Sequence, residues 1–92
     1  MTVQARERVL DVRDLEPCEP LERALEAAAA LAPGEYLRLL HRREPHPLYE
    51  LLARQGLRHR TRRGRQAPVE VLIWREGDAV AARAVEDLTG AE

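Results

Sequence analysis

The chain has 92 residues, a formal net charge of −1 at neutral pH and one cysteine. This length suits one domain, because two separate cores would each be too small to be stable. A lone cysteine excludes an internal disulfide, the N-terminus lacks the apolar run of a secretory signal, and no stretch approaches the ~18 apolar residues typical of a membrane span. We therefore expect a single cytoplasmic domain with a shallow surface site.

Charge is distributed unevenly along the chain, although the total is close to zero. Residues 1–35 carry a net charge of −4, residues 36–75 carry +7 and residues 76–92 carry −4. All 15 basic residues are arginine, and a coding bias toward arginine is sufficient to explain this. An individual arginine therefore needs a further reason before it is assigned a function.

The spacing of apolar residues predicts six elements in the order βαβαββ. Three- and four-residue spacings indicate two helices, and β-branched or alternating runs bounded by proline and glycine indicate four strands. Pro20 suits the first helical position because its missing N–H would be unpaired there anyway. The predicted elements are a strand from Arg8 to Arg13 that ends near Leu15, a helix Pro20–Leu31, a strand Tyr36–His41, a helix Pro47–Gln55 that Gly56 caps, and strands Leu57–Arg62 and Val69–Trp74.

This order predicts an α/β (α+β) fold, a two-layer sandwich in which two helices cover one face of a four-stranded mixed sheet. The other face is expected to be open, and the last two strands are expected to form a hairpin. Residues 1–76 would form this domain, and residues 77–92 would be an extension in which Asp78 caps a short helix. The apolar stripe of that helix consists of Val80, Ala84, Val85 and Leu88. The sequence leaves open whether it docks on the domain, pairs with another subunit or frays, and we expect the core to fold without it.

Several short motifs resemble the TusA/SirA-like sulfur-carrier superfamily over residues 8–75. The stretch Leu10-Asp11-Val12-Arg13-Asp14-Leu15, followed by Glu19-Pro20 at a helix start, is similar to the first strand and helix start of those carriers. The segments Ala32–Glu35 and Glu44–Tyr49 look like a sister branch, an uncharacterised bacterial domain sometimes found beside hemerythrin-like domains. The resemblance implies the same fold and a protein partner from sulfur transfer or from hemerythrin-linked redox chemistry.

The sulfur-carrying cysteine of that superfamily is not carried over to this chain. Its position falls on Pro17, and Cys18 falls on the position of the following proline. The predicted helix N-terminus favours a Cys18 thiolate, whereas Glu16 and Glu19 disfavour it. A persulfide carrier that uses Cys18, the one candidate catalytic residue, is therefore the alternative function.

The histidines offer a candidate metal cluster. His41 and His46 lie at one end of the predicted sheet, and Glu44 between them would add a carboxylate. No cysteine pair or closely spaced histidine motif accompanies them. We therefore expect neither a metal nor another cofactor.

An arginine-rich strand offers a candidate anionic-partner surface. Arg58, Arg60 and Arg62 alternate along one side of the third strand, where they would attract nucleic acid or an acidic partner. Sheets that bind RNA also use stacked aromatic residues, which this sheet offers only in Tyr36 and Trp74. Nucleic acid is therefore a further alternative, behind an acidic protein.

The leading prediction is a binding or relay module, regulatory rather than enzymatic. The sequence shows no glycine-rich phosphate loop and no arrangement of a catalytic triad. The module would present the start of its first helix and the loop Glu44–Leu48 to another protein, as a monomer or weak homodimer. We expect no membrane partner, and nucleic acid stays the further alternative. The candidate contact residues are Arg13, Glu19, Pro20, Glu44, Pro45, His46, Pro47, Arg58, Arg60 and Arg62.

Overall fold

The computed structural model describes residues 4–15 and 19–90 of the chain. The predicted βαβαββ order is confirmed, and the C-terminal extension forms a helix. Within the described ranges, no helix is both long and apolar enough to cross a membrane. The elements are β1 (Arg6–Asp11), α1 (Glu19–Ala29), β2 (Glu35–His41), α2 (His46–Arg54), β3 (Leu57–Arg63), β4 (Val69–Arg75) and α3 (Ala79–Thr89).

The four strands form one mixed sheet with the order β1-β2-β4-β3. β1 runs parallel to β2, to which it is joined through α1, and β4 lies antiparallel between β2 and β3. The hairpin predicted from the last two strands is confirmed by the pairing of Leu57 with Arg75 through Arg63 with Val69. β1 and β3 are therefore the two edges of the sheet.

The first strand is shorter than predicted at its C-terminal end. The N–H of Val12 still donates to the carbonyl of Leu40 at 3.0 Å, but the N–H of Leu15 then donates back to the carbonyl of Val12 at 3.3 Å. The chain turns between these two bonds, so the strand ends at Asp11 instead of near Leu15.

One face of the sheet packs against α1 and α2 and forms the main apolar core. Alternate residues of each strand point to this face, as the pleat of a strand requires. Burying a leucine or isoleucine side chain of this kind contributes about 1.5–3 kcal/mol. The core includes Leu37, Leu39, Val71 and Ile73 from the strands, Ala24 and Ala28 from α1, and Leu48 and Leu52 from α2.

The second face of the sheet packs partly against α3, so the expectation of an open face was wrong. Two helices do cover only one face, but the C-terminal extension supplies a third helix that packs on Tyr36 and Leu72. The small side chain of Ala81 is fully buried there, which lets the helix approach the sheet closely. The buried residues of α3 are Ala81, Val85 and Thr89. Val80 and Ala84 of the predicted stripe are half-buried, and the stripe was wrong at Leu88, which is exposed.

The start of α3 is fixed to the start of β2. The predicted cap is confirmed, because one carboxylate oxygen of Asp78 accepts from the N–H of Ala81 at 3.1 Å. The other oxygen accepts from the N–H of Gly34 at 2.8 Å. Gly34 has a φ of 82°, a left-handed conformation that glycine adopts at little cost. The extension is thus bonded to the turn that precedes β2.

Candidate functional site

A groove of about 380 Å³ lies at the edge of the sheet where β1 and β2 end. The two strands are parallel, so their carboxyl ends meet at the same edge, and α1 and α2 begin beside them. Ligands of α/β proteins commonly bind in the crevice outside the carboxyl ends of the strands. This geometry makes the groove the candidate functional site.

The interior of the groove is apolar. Its floor consists of Val12, Leu39 and Leu48, which are almost completely buried. Proline residues have few conformations, so walls built from them keep their shape when a partner binds. The walls are Leu15, Pro20 and Leu21 on the side of α1, and Pro45 and Pro47 on the side of α2.

The rim of the groove carries positive charge. The side chains of Arg42 and Arg43 are exposed, and neither guanidinium group has a hydrogen bond or an ion pair with any residue in the described ranges. His41 accepts a hydrogen bond at Nδ1 from the N–H of Arg43 at 3.2 Å. Burial, reinforced by these two arginines, holds the pKa of His41 below its usual value, so its imidazole is neutral at pH 7. The charge of the rim therefore comes from the two arginines.

Glu44 orders the loop that carries this rim. One carboxylate oxygen accepts from the hydroxyl of Tyr49 at 3.2 Å, and the other lies 3.4 Å from Nε2 of His46. The ring of Tyr49 stacks on the ring of His59 in β3, with 4.0 Å between the centroids. Burial raises the pKa of Tyr49 and lowers that of His59, so both rings are neutral at pH 7. The loop is thus tied to α2 and β3 through Glu44.

The structure brings four of the predicted contact residues to the groove, namely Pro20, Glu44, Pro45 and Pro47. Two further predicted residues begin helices at the same edge: Glu19 begins α1 and His46 begins α2. Both are exposed. Cys18, the candidate catalytic residue, lies outside the described residues.

Arg13 is bonded within the fold rather than to the groove. Its guanidinium donates to both carboxylate oxygens of Asp11, at 2.9 and 2.7 Å, and to the carbonyl of Gln66 at 2.7 Å. The hydrogen bonds from Arg13 lower the pKa of Asp11 to about 2. Arg13 therefore ties the end of β1 to the turn between β3 and β4.

The three predicted arginines of β3 lie on the face that α3 covers. They share that face with Leu72 and Trp74 of β4, which pair with them across the strands. Each guanidinium is bonded to another part of the fold. Arg58 pairs with Glu76 at 3.0 Å, Arg60 donates to Thr89 at 2.8 Å, and Arg62 pairs with Glu70 at 3.0 Å.

Glu70 is the buried centre of this second charged region. Its side chain is 1% exposed and accepts hydrogen bonds from Arg62 and from the N–H groups of Arg65 and Gln66 at 3.2 and 3.4 Å. Arg38 lies 3.6 Å from the same carboxylate. Burial raises the pKa of Glu70, but the hydrogen bonds and the two arginines outweigh it and hold the pKa below its usual value. Glu70 is therefore ionised and structural.

The candidate metal cluster is not assembled in the part of the chain that the structure describes. No three His, Cys, Asp or Glu residues there come close enough together to hold a metal ion. His46 contacts Glu44, but His41 turns its Nδ1 to the backbone of Arg43 instead.

Sequence reasoning missed six residues of the groove: Val12, Leu15, Leu21, Leu39, Arg42 and Arg43. The signal that would find them is the parallel pairing of β1 and β2. Parallel strands place the loops after both strands at one edge, so the residues after His41 meet those after Asp11. Counting arginines drew attention to β3 instead.

The fold and the groove define the class of this protein. It is a small α/β sandwich with a mixed four-stranded sheet and an apolar groove, rimmed by arginine, at the carboxyl ends of its parallel strands. A comparison with protein families matches residues 9–75, more than half of the chain, to the family described as "Uncharacterized conserved protein (DUF2249)". The chain belongs to this family. Comparisons with curated proteins and with solved structures find no match.

Proposed function

We propose that this protein is a TusA/SirA-like binding module whose groove accepts a short segment of another protein. That segment would carry an apolar side chain for the interior of the groove and carboxylates for its rim. The observation that carries the proposal is the pair Arg42 and Arg43, which stands beside an apolar groove without a partner among the described residues.

The size and lining of the groove support an apolar anchor. A volume of about 380 Å³ lies within the range of sites that bury small ligands or single large side chains. Interfaces of this kind gain most of their affinity from one or two anchors that fill such a pocket. The apolar floor and proline walls suit a leucine or aromatic side chain.

The charge of the rim supports an acidic residue next to the apolar side chain in the partner segment. A guanidinium binds a carboxylate through two parallel hydrogen bonds, and this geometry gives direction as well as attraction. Among the described residues that line the groove, Glu44 is the one acid, and it is already bonded to Tyr49 and contacts His46. An incoming carboxylate would therefore meet two arginines with unused donors.

The family likeness supports a relay or regulatory role in the cytoplasm. The superfamily that the motifs resemble contains sulfur carriers, and its sister branch occurs beside hemerythrin-like domains. A partner from either setting would meet the groove through the start of α1 and the Glu44–Leu48 loop. No catalytic step is part of the proposal.

Selection from a random peptide library displayed on phage tests this function. We expect the enriched peptides to share a large apolar residue next to aspartate or glutamate. Titration of the ¹⁵N-labelled protein with such a peptide should shift the amide resonances of Leu21, Arg43 and Leu48. Peptides without acidic residues, or shifts confined to α3, would contradict the proposal.

A pair of variants makes the test specific to the groove. Leu15→Glu places a carboxylate in the groove wall and should abolish peptide binding, because it repels the acidic segment and removes apolar contact. Leu88→Glu places the same carboxylate on the exposed side of α3 and should leave binding unchanged. Equal binding by both variants would rule out the groove as the site.

A further inference from the structure

The outer edge of β1 has unused backbone hydrogen-bonding groups. The N–H groups of Arg6 and Val12 donate to carbonyls at the two ends of β2, both at 3.0 Å. In a parallel pair the residues of a strand alternate between facing the partner and facing away. The backbone groups of Glu7, Val9 and Asp11 therefore point outward, and in the described part of the chain none of them has a backbone partner.

The side chains of β1 combine charges of both signs with one exposed apolar residue. Edge strands are usually protected by charge or by a covering element, because an open edge is a template for another strand. The charges of β1 sum to zero, because Arg6 and Arg8 are matched by Glu7 and Asp11. Between them Val9 is 51% exposed, and it is one of only two large apolar residues that are exposed among residues 4–15 and 19–90.

β3, the other edge, is protected by its own sequence. When two copies of a strand pair antiparallel about a two-fold axis perpendicular to the sheet, residues on the same face lie opposite one another. Such pairing of β3 would set Arg58, Arg60 and Arg62 against the same arginines of the second copy. Like charges directly opposite one another destabilise strand pairing. Self-association at β3 is therefore opposed by charges of a single sign, whereas the two positive and two negative side chains of β1 sum to zero.

We infer that β1 pairs antiparallel with β1 of a second copy, with Val9 opposite Val9 on the two-fold axis. This register places Glu7 opposite Asp11 and Arg8 opposite Leu10, and the outward groups of three residue pairs exchange about six hydrogen bonds. This register also sets the like charges of Glu7 and Asp11 opposite each other on both sides of the axis, a contact that costs stability. The acids that meet across the axis are already paired, Glu7 with Arg38 at 3.1 Å and Asp11 with Arg13 at 2.7 Å.

The dimer would give the proposed module two grooves on one side. The two-fold axis is perpendicular to the joined sheet, so both helical faces point the same way. Val12, in the floor of the groove, lies three residues beyond Val9, or ~10 Å along the strand. The two grooves would then open at opposite ends of the paired β1 strands. The inference of a dimer depends only on β1 and does not require that the groove binds a peptide.

Sedimentation velocity over a wide range of protein concentrations tests the dimer. We expect a concentration-dependent dimer of the full chain, and we expect Val9→Lys to raise the dissociation constant by about tenfold or more, because it sets two ammonium groups against each other on the axis. Leu88→Lys, at the other exposed apolar residue, should behave as the wild type. A wild type that is monomeric throughout, or equal weakening by both variants, would overturn the inference.

Disulfide trapping tests the register. In a hydrogen-bonded antiparallel pair the Cα atoms are about 5.5 Å apart, within the range that a disulfide spans. Val9→Cys in a Cys18→Ser background should therefore form a covalent dimer under mild oxidation. Leu88→Cys in the same background should remain monomeric. Failure of the Val9 variant to cross-link, or equal cross-linking of both, would contradict the Val9–Val9 register.

Discussion

The arginines of β3 and the arginines that follow β2 are the same residue type in opposite environments. Arg58, Arg60 and Arg62 are all bonded to acids, hydroxyls or carbonyls of their own chain. Arg42 and Arg43 have no such bonds within the described ranges. The density of arginine in a sequence therefore does not locate a binding surface. An apolar groove with unbonded guanidinium groups at its rim locates it.

The cost of breaking existing ion pairs explains why the arginines after β2 can bind an acidic ligand more easily than those of β3. An acidic ligand at β3 would have to replace Glu70 as the partner of Arg62, and both side chains are largely buried. Breaking a buried pair exposes the remaining charge to a poorly solvating environment, which is costly. A ligand at the groove rim would displace only water. The bonded arginines of β3 therefore stabilise the fold, whereas Arg42 and Arg43 can bind a ligand.

Replacement of Glu70 is expected to have the largest effect on stability. Glu70→Gln leaves Arg62 and Arg38 without their buried anion, so we expect the free energy of unfolding to fall by about 3–5 kcal/mol. Urea denaturation followed by circular dichroism measures it. The control is Glu50→Gln, which removes an exposed pair with Arg54 and should cost no more than about 0.5 kcal/mol. Similar losses of stability for both variants would show that the buried pair of Glu70 contributes no more than an exposed pair.

Deletion of residues 77–92 is expected to have the next largest effect. The shortened chain loses the contacts of Ala81 and Val85 with Tyr36 and Leu72, which should cost about 2–4 kcal/mol. The main core against α1 and α2 is intact, so unfolding should remain cooperative at a lower urea midpoint. Loss of the cooperative transition would show that α3 is indispensable to the core.

Acid should weaken the folded protein through Glu70. The pKa of Glu70 is lower in the folded protein than its usual 4.5, so the unfolded state binds the proton first. The stability that Glu70 contributes is therefore fully present above that pH and is lost as the pH falls through the folded pKa. Asp11, whose pKa is lowered to about 2, adds to the same trend. In urea titrations below pH 4.5, Glu70→Gln should lose stability less steeply than the wild type, and an unchanged slope would contradict the assignment.

Replacement of Cys18 is expected to have the smallest effect. Cys18→Ser should change the free energy of unfolding by no more than about 0.5 kcal/mol and leave peptide binding unchanged. Incubation of the wild type with a cysteine desulfurase and cysteine should yield no stable persulfide, because Pro17 occupies the position of the cysteine in the sulfur carriers that the motifs resemble. A mass increase of one sulfur atom that depends on Cys18 would instead establish a sulfur carrier.

The fold was predictable because local patterns and the global arrangement agree. The alternation in β3 and the apolar run of β2 mark an edge and a centre of the sheet, and Asp78 marks the start of α3. The docking of α3 was not predictable. Its contact surface on Tyr36 and Leu72 is a small apolar patch that shares its sheet face with the charged Arg38 and Glu70, so the strand pattern does not show what covers it. The burial of Ala81 depends on how closely the helix approaches the sheet.

The candidate site was predictable only in part, for a related reason. Proline residues and the predicted helix starts indicated Pro20, Pro45, His46 and Pro47 as site residues. The three prolines line the groove. The rim arginines could not be separated from the other arginines by sequence alone. Whether a guanidinium is bonded depends on strand pairing and on α3, neither of which is local in sequence.

The affinity of a selected acidic peptide for two charge-reversed variants tests the central claim most directly. Arg42→Glu/Arg43→Glu reverses the groove rim, and Arg63→Glu/Arg65→Glu reverses a matched pair of exposed arginines at the end of β3 and in the turn that follows it. Isothermal titration calorimetry should show at least about a tenfold weaker dissociation constant for the rim variant, with near wild-type binding by the control variant and unchanged stability of both. Wild-type affinity in the rim variant, or an equal loss in the control, would contradict the account.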